Sequence, residues 1–177
     1  MSGLPSKVAP DLLMMSENRR ILSVVVAMLG LTLAFSAGAR ADSMPPSLSA
    51  GRVAPTPEEF AIVRAMNAVR VANGVPALRV GRVLTRAARY HSVDMVRRGY
   101  FDHGPFVQRL RRFGVRAPYV GENLAEGTGG LGAAAVVQMW MASPPHRQNL
   151  LDRGFNRVGV GLAGGTTRIV TADFAGS

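Results

Sequence analysis

The sequence predicts an α+β domain built in layers, and three observations carry that reading. Apolar residues recur at helical spacing in four runs between Pro57 and Ala142. They alternate with period two between Val158 and Phe174, and the connections between runs are short. Helices come first, strands last, and no internal repeat is visible.

The first helix has a well-marked start. Thr56 is an N-cap, Pro57 suits the first helical position and Glu59 completes a capping box. Phe60, Val63, Met66 or Asn67, and Arg70-Val71 follow at helical spacing until Asn73-Gly74 stops the helix. Val75-Pro76-Ala77-Leu78 is an extended connector. A second helix runs from about Val83 to Arg98, with Leu84, Ala88, His91 and Met95 as its apolar stripe. Asp94 can pair with Arg98 one turn on. Tyr100 to Pro105 is a loop, and Phe106, Leu110 and Phe113 mark a short third helix closed by Gly114. Tyr119-Val120 leads into Glu122-Asn123-Leu124, an edge strand or loop, and Gly127 to Gly132 is a flexible link. A fourth helix, about Ala133 to Ala142, carries Val136, Val137 and Trp140 and must end before Pro144-Pro145. Val158, Val160 and Leu162 then alternate, as do Arg168, Val170, Ala172 and Phe174, on either side of Gly164-Gly165. That is the pattern of a terminal β-hairpin.

Ahead of this domain the chain reads differently. Glu17-Asn18-Arg19-Arg20 precedes an apolar run from Ile21 to Phe35, and Ala39-Arg40-Ala41 follows. Basic, apolar, then small-x-small is the order of a secretory signal peptide. The run is shorter than the ~18–20 apolar residues of a spanning helix, so no stable membrane span is expected after cleavage. The absence of cysteine excludes a lipobox and means that an exported chain must be stable without disulfides. The expected organisation is a signal peptide over residues 1–41, with translation starting at Met1 or Met15. A Pro/Ser-rich linker over 42–55 and a folded domain over 56–177 follow. The expected destination is the periplasm or the medium.

Lys and Arg number 21 against 11 Asp and Glu. Cleavage after Ala41 removes four of the bases and two of the acids, leaving a net charge of +8 in which every base is arginine. The arginines are spread along Arg64 to Arg168 rather than gathered in one block. That describes a solvated cationic surface rather than a dedicated nucleic-acid site. Anionic lipid or wall polymer is the expected partner for that charge, and no nucleic acid is expected.

Several motifs fail. Gly159-Val160-Gly161-Leu162-Ala163-Gly164 matches a dinucleotide fingerprint by letter, but a strand follows where a helix should open. There is no His-Glu-x-x-His, no Gly-x-Ser-x-Gly elbow and no cysteine nucleophile. His91, on the apolar stripe of its helix, reads as a core histidine satisfied by a hydrogen bond, and Trp140 as core. Asn123 and Asn149 lie near turns, where an amide side chain ordinarily caps backbone. His103 and His146 fall just outside helices, where an imidazole can reach solvent. Two imidazoles and the Glu122 carboxylate would be enough for a divalent metal or for acid/base chemistry if the fold brings them together. Spacing alone leaves that open.

Six segments stand in a telling order: His91-Ser92-x-Asp94-Met95, Tyr100-Phe101-x-His103, Gly121-Glu122-Asn123-Leu124-Ala125, Trp140-Met141-x-Ser143-Pro144-x-His146-Arg147-x-Asn149-Leu150-Leu151, Val158-Gly159-Val160-Gly161 and Thr171-Ala172-Asp173-Phe174. Together they resemble the bacterial SCP-like branch of the CAP superfamily, the group of cysteine-rich secretory proteins, antigen 5 and plant pathogenesis-related proteins. The resemblance covers about Glu58 to Phe174. It implies a three-layer α-β-α sandwich, a central antiparallel sheet flanked by helices, with a cleft lined by two histidines and acidic groups. By position it makes His103 the first cavity histidine, Glu122 the first cavity glutamate and His146 the second histidine. Asn123 and Ser143 join these cleft residues, while His91, Asp94, Trp140 and Asn149 are structural.

Three departures accompany the resemblance. Ser143 stands where many eukaryotic relatives carry a second glutamate, Pro145 replaces the glycine of a Ser-Pro-Gly-His motif, and the loop after His103 is shorter than in typical bacterial members. Family members can hold a divalent ion through the two histidines. Zinc or another divalent cation on His103 and His146 is therefore the cofactor that the resemblance allows, with none required. Three functions are consistent with it: an extracellular module binding a lipid-like or cell-wall-derived ligand, a metal-assisted hydrolase with Glu122 as general base, or a structural or adhesive protein. Ser143 in place of a carboxylate favours binding.

Overall fold

The computed structural model describes residues 54–177. The expected signal peptide, and all but the last two residues of the expected linker, lie outside them.

Helix α1 (Pro57–Ala72) starts as its sequence requires. The Thr56 hydroxyl accepts from the Glu59 amide at 3.2 Å, and the Glu59 carboxylate accepts from the Thr56 amide at 2.7 Å. Its buried face is Glu59, Ile62, Val63, Met66 and Arg70. Val63, Met66 and Arg70 are buried as their spacing predicted, but Phe60 and Val71, read as part of the same stripe, are exposed at 49% and 63%. Glu59 and Arg70 can lie on the buried face because both find interior partners. Glu59 accepts from Arg89 Nε at 2.7 Å, and the fully buried Arg70 donates to the carbonyls of Pro76, Leu150, Asp152 and Phe155 at 2.8, 2.8, 2.9 and 3.0 Å.

The sheet has the order β1-β3-β4-β2. Its main body is antiparallel, as expected: β3 (Phe155–Gly164) and β4 (Thr167–Gly176) form the terminal hairpin, and β2 (Tyr119–Thr128) pairs with β4 along its whole length as an edge strand. The hairpin turns at Gly164, whose φ of 102° is a conformation that L side chains rarely adopt. The other edge differs from expectation. Arg79–Val80 forms a two-residue strand, β1, parallel to β3, so the sheet is mixed.

Period-two alternation sends neighbouring residues to opposite faces of the sheet and so defines three layers. Val158, Val160, Val170, Ala172 and Phe174 face one way and enter the main core with Ile62, Met66, Val136 and Trp140. The opposite face carries Gly159 and Gly161, and against it lies α2 (Arg82–Arg98). A Cβ at either glycine would overlap the α2 backbone at Thr85 or Arg89. The letters that mimic a nucleotide fingerprint therefore let a helix lie directly on a strand. Leu84, Ala88, His91 and Met95 are all buried on α2, as their spacing predicted.

The second half of the helical layer departs from the sequence reading. After α3 (Phe106–Arg112), α4 (Ala133–Ala142) ends before Pro144 as expected, but a further helix, α5 (Pro144–Leu151), begins at once. Ser143 serves as both C-cap of α4 and N-cap of α5. The two prolines occupy first-turn positions, where a missing N–H costs no helical hydrogen bond. His146, expected just outside a helix, consequently sits inside one.

Candidate functional site

The site is built on a cross-strand pair. Glu122 of β2 is directly opposite Asp173 of β4, and both side chains are buried, at 4% and 0% exposure. Two adjacent interior carboxylates need positive charge or protons. Arg109 of α3, itself 8% exposed, supplies the charge: it donates to Glu122 Oε2 in a short contact, and its NH2 lies 3.5 Å from Asp173 Oδ1. One guanidinium balances one carboxylate. Burial, and after it the Glu122 charge, push the Asp173 carboxyl well above the usual carboxylate range.

His103 stands at the mouth of this arrangement. Its Nδ1 lies 2.8 Å from Glu122 Oε1, and its side chain is 48% exposed. Beside a carboxylate, Nδ1 must be the protonated nitrogen, so it donates and leaves Nε2 as the other face of the ring. The hydrogen bond to Glu122 raises the His103 pKa above 6.5. Arg109 also donates to the His103 carbonyl at 3.3 Å, fixing the loop that carries the ring.

His146 arrives from α5 and is half-buried. Burial, and then the His103 charge, lower its pKa. Asn123 Nδ2 donates to the His146 carbonyl at 2.9 Å, and Asn149 Nδ2 donates to the Glu122 carbonyl at 3.1 Å and to Asn123 Oδ1 at 3.0 Å. Asn123, expected in the cleft, is fully buried and uses its amide as a brace between β2 and α5. Ser143 is half-buried, and no hydrogen bond joins its hydroxyl to these groups.

The residues expected to be structural take supporting places. His91 is 3% exposed and contacts the Asp102 carbonyl through Nε2 at 3.0 Å, with burial lowering its pKa. Asp94 accepts from the Tyr100 hydroxyl at 2.5 Å and from Arg98 at 3.5 Å. Burial, followed by that bond to Asp94, pushes the phenol up to about 12. Trp140 donates to the Leu124 carbonyl at 2.9 Å, securing α4 to β2.

Sequence reasoning missed Arg109 and Asp173. Asp173 left a signal: a charged residue within a buried strand, between the core residues Ala172 and Phe174. Arg109 left none, since Arg111 and Arg112 follow it in the same short helix.

The donor set falls short of a resident metal centre. Among the described residues, no group of three or more His, Cys, Asp or Glu side chains is placed to hold an ion. Both Glu122 oxygens are engaged by Arg109 and His103, leaving two imidazoles where a catalytic zinc takes three protein ligands. The residues present do not fit such a group.

A family profile described as CAP, cysteine-rich secretory protein family, matches residues 63–174. An uncharacterized protein of Bacillus subtilis, YkwD, is 36% identical over 109 residues, which is 58% of this chain and 41% of that protein. An extracellular protein containing a SCP domain from Bacillus anthracis has a similar structure, with a TM-score of 0.62 at 30% identity, over 68% of this chain and 40% of that one. The chain thus spans about two fifths of the length of both relatives. An outer surface protein of Borrelia burgdorferi shares the fold, with a TM-score of 0.62 at 19% identity, over 70% of this chain and 96% of that one.

Proposed function

The chain belongs to the CAP, or cysteine-rich secretory protein, family, and from that premise we propose that it is an exported binding module whose His103–Glu122–His146 cleft takes a lipid-like or wall-derived ligand. The observation that carries this reading is the full engagement of Glu122, the candidate general base. One oxygen receives His103 Nδ1–H and the other receives Arg109, behind a surface only 4% exposed. A carboxylate so occupied does not take a proton from water; it orients a ring. What the cleft offers a ligand is a positively biased His103 beside a less basic His146, a pair suited to oxygen acceptors such as phosphate, carboxylate or sugar hydroxyl groups.

Export is supported by the signal-like leader and by the extracellular or outer-surface description of two structural neighbours. Among the described residues, no helix is long and apolar enough to cross a membrane. The arginine-rich surface favours work beside anionic lipid or wall polymer.

One observation favours hydrolysis. A carboxylate-held imidazole with a free Nε2 is also the base of many hydrolytic sites. Two measurements separate the readings. Organic extraction of the secreted protein followed by mass spectrometry should recover a bound species that is lost from His103→Ala. Ester, peptide and wall-fragment substrates should be turned over no faster by wild type than by His103→Ala. An empty protein across lipid and muropeptide panels would sink the binding reading, and turnover abolished by His103→Ala would put hydrolysis in its place.

A further inference from the structure

Where α2 begins, the fold gathers arginines. A cavity of about 470 Å³ lies between the first turn of α2, the connector at residues 114–118, the start of β3 and the end of β4. Its volume is that of a small-molecule site, about 300–1,000 Å³. None of His103, Glu122, Ser143 or His146 lines it. The floor is firm, because Leu84, Val115 and Ala175 line it and belong to one packed cluster. Arg82, Arg116 and Arg157 supply the charge, and no Asp or Glu side chain is part of the lining.

A fourth arginine crowds the same place. Arg79 of β1 is the registered partner of Arg157 on β3. The two side chains therefore leave neighbouring strands, about 4.8 Å apart, on one face of the sheet. Like charges set directly opposite each other repel and cost stability. The fold does not offset that repulsion. All four arginines are exposed; Arg79, Arg82 and Arg157 make no hydrogen bond or ion pair among the described residues, and Arg116 donates only to the Arg111 carbonyl at 3.3 Å. The first turn of α2 holds no acidic residue. Elsewhere the chain pairs its arginines, Arg89 with Glu59, Arg109 with Glu122 and Arg168 with Glu58. Arginine forks match phosphate oxygens in geometry as well as in charge. A single phosphate group carries about −1.5 to −2 at pH 7, well short of four guanidinium groups, whereas two linked phosphates come close to balancing them.

We propose that this cavity binds a pair of linked phosphates, held by Arg82, Arg116 and Arg157, with Arg79 adding its charge beside Arg157. The site is separate from the His103 cleft and does not depend on the reading given to it.

The test titrates inorganic pyrophosphate into the purified protein by calorimetry, with inorganic phosphate as the single-phosphate comparison. Pyrophosphate should bind at one equivalent, at least tenfold more tightly than phosphate. Arg82→Gln and Arg157→Gln should each weaken it tenfold or more, yet melt at or above the wild-type temperature without ligand, because each removes repulsion. Arg64→Gln, at an exposed position on α1 and so against the other face of the sheet, deletes the same charge and should bind as wild type. Sedimentation with cardiolipin vesicles, whose headgroup links two phosphates, against phosphatidylcholine vesicles identifies the source. Retention lost by Arg82→Gln and Arg157→Gln but kept by Arg64→Gln assigns the phosphates to a lipid headgroup. Pyrophosphate binding without retention assigns them to a soluble molecule. Either outcome supports the site. Absence of both pyrophosphate binding and retention, phosphate bound as tightly as pyrophosphate, or equal losses in all three variants would overturn it.

Discussion

Replacing Arg109 with methionine tests the electrostatic core of the cleft. The change keeps an unbranched side chain in α3 but removes the guanidinium facing Glu122 and Asp173. The three side chains are 9%, 1% and 0% exposed, so solvent screens the interaction little. Breaking a buried pair by deleting one partner costs about 3–5 kcal/mol. Against the roughly 5–15 kcal/mol stability of an ordinary domain, the variant should still fold, with a reduced margin. With a urea m-value of about 1.5–2 kcal/mol/M, the midpoint should fall by about 2 M at pH 7 with m unchanged. The deficit should shrink in acid, because protonation then supplies the neutrality that the guanidinium supplied. Asp173 adds a second signature. Its pKa is raised in the folded protein, so its contribution to stability is full below the unfolded value near 3.8 and is lost as pH rises through the folded value. Asp173→Asn should flatten that loss. A deficit below about 1 kcal/mol for Arg109→Met at pH 7, or an equal deficit at pH 5 and pH 8, would refute the reasoning.

Other perturbations probe single contacts. Trp140→Phe strands the buried Leu124 carbonyl and should cost about 1–3 kcal/mol in urea titrations, with no loss meaning that the bond is absent. NMR titration should find His103 above 6.5 and His146 below it, with Glu122→Gln drawing His103 downward. The stability that His103 contributes is therefore full below 6.5 and lost as pH rises through its folded pKa, while that of His146 is present above 6.5 and lost as pH falls through its own. The reverse order of the two values would contradict the cleft geometry. Gly161→Ala should be destabilised by about 1–3 kcal/mol or more, or fail to fold, because its Cβ meets α2 backbone that cannot yield, whereas Gly165→Ala, in open space, should melt as wild type.

Features set by neighbouring residues were legible in the sequence. The Thr56–Glu59 box, the stripe from Leu84 to Met95 and the terminal hairpin each depend on residues within one turn or one register pair. Helix α5 was missed because Pro144-Pro145 was read as a stop, although proline is a stop only for the helix that precedes it. Strand β1 is two residues long and exists only through pairing with Arg157 and Val158, so no local pattern announces it. The ends of the α1 face were misread because the interior places of Glu59 and Arg70 depend on partners as far as 30 and 85 residues away. The candidate site shows the same division. His103, Glu122 and His146 were expected from a resemblance to family motifs, not from spacing. Arg109 acquires its role only from Glu122 and Asp173, 13 and 64 residues later.

Arg70 carries a consequence for the order in which the domain assembles. Its guanidinium is held by backbone carbonyls, and three of its four carbonyl acceptors lie 80 to 85 residues further along the chain. While the polypeptide is being made, α1 emerges early yet cannot bury that charge until Leu150 to Phe155 follow. The first helix is thus completed by the last third of the protein, and commitment to the native state comes late. A chain that delays folding in this way stays threadable for most of its synthesis, which suits the export proposed for it.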